Sequence, residues 1–156
     1  MSDFEFSQWF SGFTDGEGSF SIYSTKTAFN FRFIIKLHID DIAALEFIKS
    51  KLNSGNVFIR KDNSASFELN RISDIHSILI PQFEKFPLNG TKYLDYLAFK
   101  KAVETKLDSS LSETQKLEII TALKNSMNSN RVEFEMPSTH TIRITPYYLL
   151  GLFEGV

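Results

Sequence analysis

The sequence predicts an α+β domain in which one antiparallel sheet is covered by helices on a single face. Residues 19–39 and 57–70 alternate apolar and polar side chains with period two, as two β-hairpins do. A helical apolar stripe separates these segments, and helical patterns precede the first and follow the second. The resulting αββαββα order indicates a sheet with one face in the core and the other free to bind.

Composition restricts the class of protein. The 156 residues are 42% apolar with 16 Phe, which is enough to build the core of one compact domain. The absence of Cys excludes disulfides and thiolate metal sites, and His38, His76 and His140 lack zinc-ligand spacing. No apolar run is long enough to span a bilayer, and an N-terminus with Asp3 and Glu5 is unlike a signal or transit peptide. We therefore expect a soluble domain with no membrane partner.

The charge distribution is uneven along the chain. The net charge of -2 and pI near 5.9 argue mildly against a nucleic-acid partner. Residues 18–39, however, carry Lys26, Arg32 and Lys36 without any acid, while Asp and Glu collect in the predicted helices. The local charge of a surface decides what it binds more than the net charge of the chain does.

The first predicted elements are a helix and a hairpin. Trp9, Phe10 and Phe13 recur at helical intervals between residues 7 and 15, and Gly16 and Gly18 end the helix. In the hairpin, one set of alternating residues faces the core and the other faces outward. The predicted core set is Phe20, Ile22, Phe29, Phe31, Phe33, Ile35, Leu37 and Ile39.

The remaining elements repeat this plan. Asp40 and Asp41 are suited to cap a helix over residues 42–52, which Asn53 and Gly55 end. A second hairpin turns at residues 61–64, and Ser73 with Asp74 is expected to open the next helix. Two more helices are predicted at 91–106 and at 113–127, the latter capped by Ser112.

A short motif occurs twice. Residues 12–16 (GFTDG) and 151–155 (GLFEG) each have two glycines four residues apart and an acid before the second. One such motif is most simply a helix end. Two copies predict helices that pack closely through their glycine faces. The predicted helix-interface residues are Gly12, Gly16, Gly151 and Gly155.

With these features, the chain resembles the LAGLIDADG homing endonuclease and intron maturase family. Its signature helix is matched by residues 10–18 (FSGFTDGEG) and begins again at 149–155, and the paired hairpins and the lysines near 92–101 agree. The resemblance implies a homing-endonuclease-like fold, with a first repeat at 1–127, a linker at 128–143 and the start of a second, truncated repeat at 144–156. Val156 stands where the second repeat would place its metal-binding acid. This chain is therefore expected to need a second repeat, or a homodimer partner, to be a nuclease.

The resemblance also implies a metal-dependent site. Phosphodiester cleavage in this family uses a divalent metal, expected to be Mg²⁺, which hard carboxylate and carbonyl oxygens bind. Glu17 matches the metal-binding acid, Gly16 would add its carbonyl, and Asp15 is assigned a structural role at the helix end. Lys92 matches the cation near the reacting phosphate, with a solvated lysine at a helix start as the alternative.

The outward face of the sheet is the expected nucleic-acid surface. Arg and Lys can pair with guanine and Asn with adenine in the major groove, whereas lysines at turns contact phosphates. Polar residues on any half-exposed sheet are the alternative, but six cations against two acids favour binding. The candidates are Ser19, Ser21, Tyr23, Thr25, Lys26, Asn30, Arg32, Lys36, His38, Arg60, Lys61, Ser66, Glu68, Asn70 and Arg71.

Three functions remain open from the sequence. The first is an intron-encoded endonuclease that cleaves double-stranded DNA at an intron insertion site. The second is a maturase that binds group I intron RNA and assists its splicing, which loss of the second acid would favour. The third is a non-catalytic protein-interaction module, supported by the acidic pI. The resemblance, with a Phe-rich, Cys-free chain, implies a mitochondrial location.

Overall fold

The computed structural model describes residues 1–26, 28–128 and 136–155. Val156, on which the expectation of a missing acid rests, and part of the proposed linker lie outside these residues. Four strands form one antiparallel sheet, and helices pack on one of its faces, which confirms the predicted fold class. Within the described ranges, no helix has both the length and the apolar character needed to cross a bilayer.

The sheet joins the two hairpins through their second strands. Strands β1 (Gly18–Ser24), β2 (Phe29–His38), β3 (Asn56–Ile59) and β4 (Ser64–Leu69) lie in the order β1-β2-β4-β3. The β2–β4 register sets Ile34 opposite Glu68 and Lys36 opposite Ser66. Thr25 was predicted to continue β1 but lies in the turn, where its N–H donates to the Ala28 carbonyl at 2.8 Å.

Helix α1 (Asp3–Glu17) begins earlier than predicted because of a capping box. The Glu5 N–H donates to Ser2 Oγ at 3.1 Å, and the Ser2 N–H donates to Glu5 Oε1 at 2.8 Å. Gly18 ends the helix in an extended conformation. The buried face of α1 starts at Phe6 and continues through Thr14.

Helix α2 (Ile42–Leu52) has the predicted bounds but not the predicted cap. Asp40 and Asp41 lie in a 3₁₀ turn, Ile39–Asp41, and Asp41 makes no capping hydrogen bond with its side chain. Instead, His38 Nδ1 accepts from the Asp40 N–H at 3.1 Å. His38 is thus engaged locally at the strand end.

The next helical stretch is irregular. It comprises a turn α3 (Ile72–Asp74), a π-helical segment (Ile75–Leu79) and α4 (Ile80–Lys85), which includes Pro81. Proline has no N–H to donate, so Pro81 cannot make the usual α-helical bond to the preceding turn. The π-helical segment, with hydrogen bonds five residues apart, lies directly before α4. The stretch begins at Ile72, one residue before the predicted opening at Ser73, and Asp74 accepts from Ser54 Oγ at 2.9 Å.

Helices α5 (Lys92–Leu107), α6 (Glu113–Ser126) and α7 (Pro146–Glu154) complete the fold. Ser112 caps α6 as predicted, and Thr145 caps α7 by accepting from the Tyr148 N–H. Phenylalanine rings dominate the core between α1 and the inner sheet face, where edge and stacked contacts add to the hydrophobic burial. Fully or nearly fully buried members are Phe10, Phe13, Phe20, Phe33, Phe67, Phe83 and Phe99.

Candidate nucleic-acid interface and metal centre

Helices α1 and α7 pack backbone to backbone through their glycines. A Cβ placed on Gly12 would lie 1.9 Å from the Tyr148 carbonyl oxygen, and one on Gly151 would lie 2.0 Å from that of Trp9. Further along, a Cβ on Gly16 would lie 3.0 Å from Gly155. The structure therefore brings together all four predicted interface glycines, and no larger residue fits at the closest two.

The contact has approximate twofold symmetry. Trp9 and Tyr148 each lie three residues before the closest glycine of their helix, and Asp15 and Glu154 each lie three residues after it. Each aromatic side chain donates to the acid of the other helix: Trp9 Nε1 to Glu154 at 3.0 Å, and the Tyr148 hydroxyl to Asp15 at 2.5 Å. These reciprocal bonds could not be read from the sequence, although their equal spacing about the glycines was visible there.

Helix α1 ends at Glu17, which borders a polar hollow of about 300 Å³. The hollow is also lined by Gly16, Gly18, Lys92 and Asp95. Partial burial raises the pKa of the Glu17 carboxyl, and the nearby Lys92 ammonium counteracts this in part. Glu17 also borders a second hollow on its other side, with Lys36, Asp62 and Glu154.

Lys92 points at the end of α1 rather than into solvent. Its Nζ donates at 3.3 Å to the Thr14 carbonyl, which also accepts the backbone N–H of Gly18 at the end of α1. Burial lowers the Lys92 pKa, while the carboxylates of Asp15, Glu17 and Asp95 act in the opposite direction. Lys92, at the start of α5, is therefore partly buried and bonded to α1.

Two residues beside this hollow were missed by the sequence reasoning. Asp95, one turn after Lys92 on α5, accepts from the Asn128 N–H at 2.9 Å. The Asn128 side chain donates to the Phe20 carbonyl at 2.8 Å, and Asn128 has a positive φ of 56°. The spacing of Asp95 from Lys92 was a usable signal, whereas nothing local marks Asn128.

The oxygen donors at the end of α1 suit a divalent cation of the hard type. In the described ranges, no three His, Asp or Glu side chains converge on one point, so the protein would supply only part of a coordination shell. Mg²⁺ commonly takes one or two carboxylates and completes its shell with water and phosphate oxygens. Glu17 and the neighbouring Gly16 carbonyl therefore fit such an ion, provided that nucleic acid contributes the remaining ligands.

The outer face of the sheet carries an ion-pair network. Glu68 is buried and accepts from Arg60 at 2.8 Å and from Ser66 Oγ at 3.1 Å, and Arg32 lies 3.6 Å from its other oxygen. The Arg32 guanidinium also lies over the Tyr23 ring. Glu68 and the fully buried Ser66 were expected to be open to a ligand, and this expectation is wrong because the two arginines cover them.

A second pair lies at the turn between β3 and β4. Lys36 Nζ lies 3.2 Å from Asp62. Hydrogen bonds from the Ser64 side chain and from Lys36 lower the pKa of Asp62 to about 2, so this acid stays charged. Both predicted acids of the hairpins thus bind cations of the same face.

The other candidate residues fall into separate groups. Lys61 is exposed at the β3–β4 turn, and Lys26 borders a hollow with Lys106 and Lys116 at the tip of the first hairpin. Asn70 and Arg71 follow β4 and border a different hollow, together with the α2–β3 loop. By register, those that share the outer face of β1 and β2 are Ser19, Ser21, Tyr23, Asn30, Arg32, Lys36 and His38.

Known proteins resemble this chain in sequence and in fold. The family model described as LAGLIDADG endonuclease matches residues 10–103. A probable intron-encoded endonuclease, Cox1-I1b of Schizosaccharomyces pombe, is 35% identical over 99% of this chain and 41% of its own length. The uncharacterized mitochondrial protein RF1 of Saccharomyces cerevisiae is 29% identical over 96% of this chain and 31% of its own length.

Among solved structures, the meganuclease I-CpaMI bound to uncleaved DNA superposes with a TM-score of 0.80 and 29% identity. The match covers 96% of this chain and 60% of that one. This chain thus spans less than half of the two relatives and about three-fifths of the solved protein.

Proposed function

This chain belongs to the LAGLIDADG endonuclease family, and we propose that it forms the first repeat of a site-specific endonuclease that acts on double-stranded DNA at an intron insertion site. The observation that carries the proposal is the position of Glu17. It lies at the end of a glycine-packed helix, beside the half-buried Lys92, where the outer sheet face begins. A carboxylate and a cation at the edge of a cationic strand surface suit a phosphodiester substrate.

The residues would act in distinct ways. Glu17 and the Gly16 carbonyl would hold Mg²⁺, which when bound activates water and stabilises the leaving oxygen. Lys92, anchored on Thr14, would place a positive charge beside the phosphate. Arg32 and Lys36 would contact the duplex, and Glu68 would hold Arg32 and Arg60 in ordered positions. Cleavage itself would need a second repeat or a partner subunit.

The similar proteins bear on where this protein acts and how it is encoded. Those reported above include a probable intron-encoded endonuclease and an uncharacterized mitochondrial protein, both from fungi. They support the proposal that this protein is encoded within an intron and acts in mitochondria. Assistance to splicing of the intron RNA is the competing activity, which the experiment below distinguishes.

A competitive selection tests the proposal. The chain is incubated at low salt with Mg²⁺ and equal amounts of a random duplex DNA library and a structured RNA library. We expect recovery of a duplex with a defined sequence, and cleavage of that duplex once a second repeat is joined to the chain. Glu17→Gln should abolish the cleavage without abolishing binding. Preferential recovery of RNA would support a maturase, and recovery of neither would overturn the proposal.

A further inference from the structure

Asp15 connects three separate parts of the chain. Its carboxylate accepts from the Asn89 N–H at 2.8 Å, from the Gly90 N–H at 3.3 Å and from the Tyr148 hydroxyl at 2.5 Å. Asn89 and Gly90 precede α5, and Tyr148 belongs to α7. One side chain of α1 thus holds both the start of α5 and the second motif helix.

Asn89 reinforces this connection. Its side-chain amide donates to the Arg143 carbonyl at 2.8 Å, and its side-chain oxygen accepts from the Arg143 N–H at 2.9 Å. The segment leading into α7 is therefore bound to the segment leading into α5. The Gly90 carbonyl in turn accepts from the Tyr93 N–H at 3.0 Å, in the first turn of α5. Lys92 lies in that turn.

The symmetry-related acid does not make these connections. Glu154 accepts the Trp9 indole N–H, and within the described ranges neither residue hydrogen-bonds to residues 89–92. Both acids therefore join α1 to α7, but only Asp15 also fixes the approach to Lys92. A comparison of Asp15 with Glu154 therefore distinguishes the packing of α1 against α7 from the placement of Lys92.

We infer that Asp15 is a positioning residue that makes the placement of Lys92 beside Glu17 depend on the docking of α7. The inference rests on the proposed function for its meaning, because Lys92 has a catalytic task only if the chain acts on phosphodiesters. The physical coupling itself needs no substrate. Lys92 would then take its place beside Glu17 only after α7, the second motif helix, has docked on α1. Assembly with the second repeat would thereby complete the site.

Amide hydrogen exchange of the whole chain, without nucleic acid, tests the coupling. Asp15→Asn keeps the shape but removes the charge and one acceptor, and Tyr148→Phe removes only the hydroxyl. We expect exchange at Asn89 and Gly90 to accelerate about tenfold in Asp15→Asn and about threefold in Tyr148→Phe. Glu154→Gln, the matched control at the symmetry-related acid, should change these two amides less than about twofold.

The ¹³Cε resonance of Lys92, followed against pH, reports its placement. Tyr148→Phe leaves the net charge unchanged, so displacement of Lys92 into solvent should raise its lowered pKa toward the ordinary range. Equal changes in Glu154→Gln would show general loosening and overturn the inference. An unaltered Lys92 titration and unaltered amides in Tyr148→Phe would also overturn it, and this variant decides the question if Asp15→Asn fails to fold. Because no ligand is present, these results are independent of whether the chain binds DNA.

Discussion

The α1–α7 contact and the outer face of the sheet differ in the kind of interaction that holds them together. At the helix contact, two backbones meet at glycines, and any side chain at the closest positions would overlap a carbonyl oxygen. On the sheet, long charged side chains lie over one another, and Glu68 is shared by Arg32 and Arg60. The first region tolerates almost no change in shape, whereas the second can rearrange when a ligand arrives. The proposed metal site lies where the two regions meet.

The largest expected effect is on the helix contact. Gly12→Ala places a Cβ against the Tyr148 carbonyl at 1.9 Å, and we expect it to destabilise the fold by about 3 kcal/mol or more. Gly16→Ala is the matched comparison, since its Cβ contacts lie at 3.0 Å and alanine improves helix propensity by about 1 kcal/mol. Urea denaturation of both variants measures the difference. Equal losses of stability would show that backbone approach is not what Gly12 provides.

The next effect concerns the sheet. Arg32→Ala combined with Lys36→Ala should weaken duplex binding by about 10- to 100-fold and reduce the salt-dependence slope by about 1 to 2. Lys49→Ala with Lys101→Ala removes the same charge from α2 and α5 and should leave binding nearly unchanged. Fluorescence anisotropy over a salt series measures both. A similar loss in the control would attribute binding to net charge instead of to this face.

A smaller effect follows from the acid beneath the arginines. Glu68→Gln removes the negative charge but keeps a hydrogen-bond acceptor for Arg60. We expect binding to random duplex DNA to tighten about threefold, because two guanidiniums lose their shared counter-charge. Discrimination between sequences should decrease, since the arginines become less ordered. Weaker binding to both random and selected duplexes would contradict this account of Glu68.

The smallest effect is on stability and depends on pH. The folded pKa of Glu17 lies above its unfolded value, so the stability that it contributes is present below the unfolded pKa and is lost as pH rises through the folded pKa. Glu17→Gln should therefore be slightly more stable than the parent at neutral pH, by less than about 0.5 kcal/mol, and this advantage should vanish in acid. Thermal denaturation between pH 4 and about pH 8 tests it. A destabilised variant at neutral pH would assign Glu17 a structural role.

These two regions also differ in how far the sequence predicted them. The α1–α7 contact was predictable because the glycine spacing itself encodes close backbone approach, and two copies implied two facing helices. The period-2 alternation likewise placed Phe20, Phe33 and Ile35 in the core, where all three are buried. The α2 bounds were obtained from the same kind of local pattern.

The outer face was harder because its pairs depend on strand order. Arg32 meets Glu68 only because β2 lies beside β4, with Ile34 opposite Glu68, and no local pattern fixes that register. The same holds for Asp15, whose partners Asn89 and Tyr148 are distant in sequence. The choice of Lys92 as the cation near the phosphate came from the family resemblance and not from periodicity.

Directed cleavage from single attached probes tests the central claim, that duplex DNA lies on the outer sheet face near the end of α1. The natural chain has no cysteine, so Ser19→Cys and Ser50→Cys each provide one unique attachment point for an iron chelate. Ser19 lies on the outer face beside Glu17, and Ser50 lies on the exposed side of α2. We predict localised strand cleavage from position 19 and background cleavage from position 50. Cleavage from position 50 with none from position 19 would contradict the account.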